Sequence, residues 1–269
     1  MGLVLSAKLR AGRIMWTGCQ MSSSTPRGSI ALRYVEGTRA FLTQMRAYPT
    51  LLAMAIALAP TATAQIPALY QRNVQRLMEQ RTSLAALHPN DSLARTHVID
   101  SARNVLFDVL VDKLLPAWYG TPWDFNGMTR VPGEGSIACG YFVNTVLLDA
   151  GFKLPRIRWS QLAAEPVILK LAPKAKRFRD KSVAEVEMWL GQEGNGLYTV
   201  GLDNHVGFIT RRYGVSRFVH SNYYHREIGV MAEPLDGDNP FAHSRYRIIG
   251  KLLDDKMMEA WLQGTSLEH

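Results

Sequence analysis

Residues 136–152 read Ser-Ile-Ala-Cys-Gly-Tyr-Phe-Val-Asn-Thr-Val-Leu-Leu-Asp-Ala-Gly-Phe, and residues 205–222 read His-Val-Gly-Phe-Ile-Thr-Arg-Arg-Tyr-Gly-Val-Ser-Arg-Phe-Val-His-Ser-Asn. The first stretch spaces Phe142, Val143, Val146 and Leu147 as the buried face of a helix over 136–150. Gly151 stands where helices favour glycine, just past the end. Cys139 falls in the first turn. The second stretch predicts strands over 205–211 and 216–222, joined at Arg212-Tyr213-Gly214-Val215 into a hairpin. Helices followed by an antiparallel sheet indicate an α+β domain.

The elements on either side agree with that class. Ile66, Leu69, Tyr70, Val74, Leu77 and Met78 recur at helical spacing, predicting a helix over 66–87. His88-Pro89-Asn90-Asp91 breaks it, and Asn90 or Asp91 suits the cap of a second helix. That helix runs to Leu115 with Val98, Ile99, Ala102, Val105, Leu106, Val109 and Leu110 on one face, and Pro116 ends it. Residues 65–117 thus form a helical N-terminal region, either a subdomain or a brace. Residues 118–135 are loop-like, 182–190 helical, and 197–202 and 246–252 strands. Gly191 to Gly196 is read as a turn and not a nucleotide loop, because it leads from a helix into a strand. The domain proper spans 118–254. A short C-terminal helix and tail occupy 255–269, with Leu267-Glu268-His269 set aside as a tag-like remnant. Lys174, Lys176, Arg177, Arg179 and Lys181 form a basic run, read as a solvated loop before a contact with an anionic envelope polymer. There is no internal repeat and no metal-spaced Cys/His cluster.

The first 64 residues stand apart. Met45-Arg46-Ala47-Tyr48-Pro49 precedes the apolar run 51–59, and Ala62-Thr63-Ala64 follows it. A short basic start, an apolar run of about 7–15 residues and a small-x-small site are the parts of a signal peptide. The run is short for a membrane span, which needs roughly 20 apolar residues. Residues 45–64 are expected to be a signal peptide cleaved before Gln65, with 1–44 an upstream mis-start or disordered leader. Seven of the 31 Lys/Arg and one of the 23 acidic residues lie in 1–64, leaving 24 and 22 beyond. The formal charge of +8 therefore belongs mostly to the leader and gives no support for nucleic-acid binding. An exported protein without a lasting membrane anchor, in the periplasm or outside the cell, is the expectation.

Export sharpens the meaning of cysteine. The chain has two, Cys19 in the leader and Cys139 beyond it, so no disulfide can form within the exported part. A lone thiol in an oxidising compartment is either buried or has chemical work. A helix N-terminus or a neighbouring imidazolium lowers a thiol pKa and makes it a nucleophile. First-turn N–H groups can also hold an oxyanion. Cys139 then lacks only a base, and the hairpin offers His205 and His220. A turn centred between Arg212 and Tyr213 sets these two opposite one another. A turn centred one residue later sets Asn222 opposite His205 and makes His220 a diagonal neighbour. Either register puts a polar partner on the face of His205. The plain alternative is two histidines on a solvent-facing strand, and spacing alone leaves both open.

The words around these residues resemble the NlpC-like cell-wall peptidases, a papain-like bacterial family. That family has a Gly-Thr-Pro-Tyr-x-Trp-Gly-Gly segment, then Asp-Cys-Ser-Gly-Phe-Val, then Leu-Pro-Arg followed by Gln. This chain has Gly120-Thr121-Pro122-Trp123-Asp124-Phe125-Asn126-Gly127, Ala138-Cys139-Gly140-Tyr141-Phe142-Val143, and Leu154-Pro155-Arg156 with Gln161. The family's base opens a His-Val-Gly-Ile strand, similar to His205-Val206-Gly207-Phe208, and its third member lies in a strand similar to Phe218-Val219-His220-Ser221. The likeness spans about residues 118–252. It implies a papain-like fold and a Cys139–His205–His220 triad, with no metal or organic cofactor. It also implies hydrolysis of amide bonds in peptidoglycan stem peptides. Expected substrate contacts are Trp123, Gly140, Asn204 and Asn222, although Asn204 with Asp203 also suits the turn that delivers His205. Ala138, Gly140-Tyr141 and Trp123 depart from the family's Asp, Ser-Gly and Tyr. Two other readings keep the scaffold: action on a different amide, ester or thioester, and a non-catalytic envelope-binding module.

Overall fold

The computed structural model describes residues 62–87 and 91–268. The apolar run of the leader, residues 1–44, Cys19 and the break at 88–90 lie outside the described residues. Helix α1 (Ala62–Ala86) begins four residues before the first residue of the expected helix. Helix α2 (Ser92–Val109) is capped by Asp91, whose carboxylate accepts from Ala94 N at 2.9 Å. It continues through a π-helical turn, Leu110–Leu114, into a last turn, Leu115–Ala117, so Pro116 sits inside the final turn and not beyond it. Then come α3 (Cys139–Asp149), α4 (Arg156–Ser160) and α5 (Ala164–Leu171). Strand β1 (Lys176–Arg179) leads to α6 (Val183–Glu193), capped reciprocally by Ser182 and Glu185. The sheet follows as β2 (Gly196–Leu202), β3 (Val206–Arg212), β4 (Val215–Ser221) and β5 (Val230–Glu233). A turn of helix, α7 (Pro240–His243), precedes β6 (Tyr246–Lys251), and α8 (Asp255–Gln263) closes the chain.

The protein is therefore α+β, with six strands in the order β1-β6-β2-β3-β4-β5 and every pairing antiparallel. Each face of the sheet carries its own core. Phe208 and Val219 join α1, α2, α3 and α8 in a large core containing Trp118, Phe142 and Trp261. Ile209 and Phe218, next in sequence and so on the opposite face, join Val186, Leu190, Leu235 and Phe241 in a smaller one.

Four expectations need correction. The basic run is not a loop: Lys176–Arg179 is an edge strand with Phe178 turned inward, and charged residues on an edge discourage pairing with other chains. Gly191 belongs to α6, which ends only at Glu193, with Gly194 as its cap. Val230–Glu233 was not expected to be a strand. Leu267, set aside with the tail, is buried in the large core and donates its N–H to Lys153 O at 2.9 Å.

The hairpin register is resolved as well. Phe208 pairs with Val219 and Arg212 with Val215, so Tyr213-Gly214 alone makes the turn. Both have positive φ, 52° and 78°, which a two-residue turn of this hand requires. The later of the two turn centres is the one found. His205 faces position 222, and His220 is its diagonal neighbour.

Candidate active site

Three loops bring the chemistry to one end of the sheet. Asp203-Asn204 is a two-residue turn closed by Leu202 N to His205 O at 2.8 Å. The Asp203 carboxylate accepts from Arg245 N at 2.8 Å and Ser244 Oγ at 3.0 Å, which pins the turn and so the start of β3. The 118–138 loop is laced across by backbone bonds: Gly120 N to Val230 O, Val230 N to Thr121 O, Trp123 N to Arg226 O and Ile137 N to Pro122 O, each 2.9 Å. Ser221 Oγ donates to Ile137 O at 2.7 Å, fastening the entrance of α3 to β4.

Cys139 is the first residue of α3. Ala138 before it is extended and supplies no side-chain cap, where the resembled family has an Asp. The first-turn N–H groups are thus left to the thiol, and the backbone of Cys139, Gly140 and Val206 all act on it. Burial nevertheless outweighs them and pushes the thiol above its ordinary value. A low-pKa thiol was expected from the helix terminus and a charged imidazole. The neighbouring imidazole is itself held down by burial, which weakens that cause. Gly140 has a local reason: a Cβ there would lie 2.5 Å from Ser160 O, so the family's Ser cannot fit against α4.

His205 and His220 are both buried, and His205 Nε2 lies 2.8 Å from His220 Nδ1. His220 stacks on Phe218 with ring centroids 4.0 Å apart. Its Nε2 lies 2.6 Å from Glu233 Oε1, a contact that sequence reasoning missed. Burial, and then the nearby His220, holds His205 well below the usual imidazole value. Burial also lowers His220. Glu233 is raised, again by burial first. His205 Nδ1 is buried and has no hydrogen-bond partner among the described residues.

A cleft of about 670 Å³ is lined by Cys139 and His205 together with Trp123, Gly140, Asn204 and Tyr223. A second, smaller cleft of about 410 Å³ shares Cys139, Gly140, Asn204 and His205 in its lining. Three of the four expected substrate contacts therefore line the same cleft as Cys139. Asn222 does not. It is fully buried, and its Oδ1 accepts from Tyr224 N at 2.7 Å and His225 N at 3.3 Å, holding the turn after β4. Tyr223 takes its place in the cleft, with its ring 5.1 Å from His205 and its hydroxyl donating to Asn204 Oδ1 at 3.2 Å. It lies against Trp123, with ring centroids 6.0 Å apart. Burial pushes Tyr223 up to about 12, so it remains a neutral donor. Against family models, curated proteins and solved structures, the chain has no match.

Proposed function

We propose that the chain is an exported cysteine hydrolase of papain-like fold that cleaves amide bonds, with cell-wall stem peptides as substrates. One observation carries the reading: Cys139 and His205 line the same cleft, and His205 Nδ1 is the one ring nitrogen of the buried histidine pair without a hydrogen-bond partner among the described residues. In this reading His205 takes the proton of Cys139 as a carbonyl binds. The thiolate attacks, and first-turn N–H groups receive the oxyanion. His205 then returns the proton to the leaving amine, water repeats the sequence in reverse, and the acid is released. His220 orients the imidazole throughout. Burial raises the thiol and lowers the imidazole, which favours a proton transfer in concert with attack.

A second reading is favoured by the lining of the cleft. None of its residues is charged, while Phe125 and Met128 stand on its wall with 78% and 55% of their surface exposed. Stem peptides carry carboxylates, and such a wall suits a neutral, apolar acyl group instead. The same chemistry would then act on an uncharged amide or ester. The test is mass spectrometry after incubating residues 65–269, and a Cys139→Ala control, with purified muropeptides and with neutral acyl amides and esters. Cleavage of muropeptides by the wild type alone supports the first reading, and cleavage of only the neutral compounds the second. No thiol-dependent cleavage of either overturns both.

A further inference from the structure

Glu233 ends β5, paired opposite Phe218 and therefore diagonal to His220 on the same face. Its Oε1 is 2.6 Å from His220 Nε2 and 3.5 Å from Asn222 Nδ2. Asn222 approaches with its amide donor, as suits an ionised carboxylate, which only accepts. A single proton must lie in each of the two ring contacts, so the direction of one dictates the direction of the next.

We propose that Glu233 is a positioning residue that fixes the tautomers of both histidines and thereby leaves His205 Nδ1 free as the base. Facing an acceptor, His220 must carry its proton on Nε2. Its Nδ1 is then an acceptor, and the 2.8 Å contact obliges His205 to carry its own proton on Nε2. The remaining nitrogen, His205 Nδ1, has a lone pair and no partner, and it belongs to the residue that shares the cleft with Cys139. Reversing any link would put a proton on that nitrogen and remove the base. No bond changes except the transfer already described: the thiol proton moves to Nδ1, and the two Nε2 protons behind it stay on their rings. This inference rests on the reading of His205 as the base, but its test does not need a substrate.

The experiment is nitrogen-15 NMR of the imidazoles in the full chain, for wild type, Glu233→Gln and Glu233→Ala at neutral pH. Wild type is expected to show both histidines protonated on Nε2. Gln keeps a carbonyl acceptor and should preserve that pattern. Ala leaves the His220 Nε2–H buried without an acceptor, so His205 should shift toward the Nδ1-protonated form. On a cleaved substrate, Glu233→Ala should lose about 10–100-fold in kcat, the scale of a misdirected acid–base group, with KM nearly unchanged and Gln largely restoring it. A wild-type His205 carrying its proton on Nδ1 overturns the proposal, and that spectrum suffices should the Ala variant not fold. An unchanged tautomer in folded Glu233→Ala also overturns it. The expected spectra without any hydrolysis would support the tautomer assignment and sink only the hydrolase reading.

Discussion

Replacing Gly207 by Ala places one methyl group against the machinery behind the base. The hairpin register carries on from Phe208–Val219 to set Gly207 opposite His220. A Cβ on Gly207 would meet Phe218 Cε2 at 2.7 Å, His220 Cβ at 2.9 Å and Val219 O at 2.9 Å. Ordinary carbon contacts are about 3.5–4.0 Å. Relief therefore needs β4 and the His220 side chain to retreat by about half an ångström or more. Overpacking of this kind costs about 1–3 kcal/mol, and restricting the unfolded chain returns about 0.4–1. A net loss of about 1–2 kcal/mol is expected from urea unfolding. The catalytic loss should exceed what stability explains, because the same retreat stretches the 2.8 Å link between His205 and His220. If a displacement near 1 Å costs about 100-fold, half of that costs about tenfold in kcat. Gly250→Ala is the matched control: its Cβ would lie 2.5 Å from Ala172 Cβ, on β6 and away from the histidines. It should destabilise comparably and keep its kcat at equal folded fraction. Full activity in Gly207→Ala, with the expected destabilisation, would refute the idea that His220 must stay in contact for the base to work.

Three further predictions follow from the same geometry. Alkylation of Cys139 by iodoacetamide should rise with an inflection above the ordinary thiol value of ~8.5; an inflection below pH 7 would mean that a charged imidazole pair, and not burial, governs the thiol. Cys139→Ala and His205→Ala should abolish turnover, His220→Ala should leave a residue of it, and Asn222→Ala should lower thermal stability without a loss in kcat of its own; a crippled, fully folded Asn222→Ala would reassign the orienting role. Because the folded pKa values of His205 and His220 lie below the unfolded value, the unfolded chain takes up protons first as pH falls. Stability should therefore decline below about pH 6.5, by up to about 1.4 kcal/mol per pH unit for each group, with Glu233 opposing it at lower pH. His220→Gln should flatten the decline, measured by urea midpoints at pH 8 and 5.5, and an equally steep decline in that variant would count against a neutral His220.

Cys139, His205 and His220 were legible because long periodic segments carry them. Sixteen residues of alternating hairpin place the two imidazoles on one face whichever turn is chosen. The choice of turn was harder, since a shift of one residue keeps the same face. Gly214 was the usable signal, because a two-residue turn wants a residue that tolerates positive φ in its second place. Glu233 was illegible for a different reason. Its strand has four residues between Gly229 and Pro234, too few to show alternation, and its partner is known only once β4 and β5 pair. The basic run hid β1 likewise, with Phe178 as its single inward side chain. The helix terminus beside Cys139 is visible in sequence, whereas the surroundings that push this half-buried thiol up are not.

The sheet separates two cores, and the proposed reacting groups divide between them. The helix bearing Cys139 rests on the Phe208 side, while His220 stacks on Phe218, which packs with Phe241 on the other. Sequence drift can therefore tune the two partners separately. Substitutions beneath α3 should alter how the nucleophile is presented, and substitutions around Phe218 and Phe241 should alter the strength of the base, each with little echo in the other. A laboratory selection for a changed pH optimum ought to collect its winners around Phe241, well away from any surface the substrate touches.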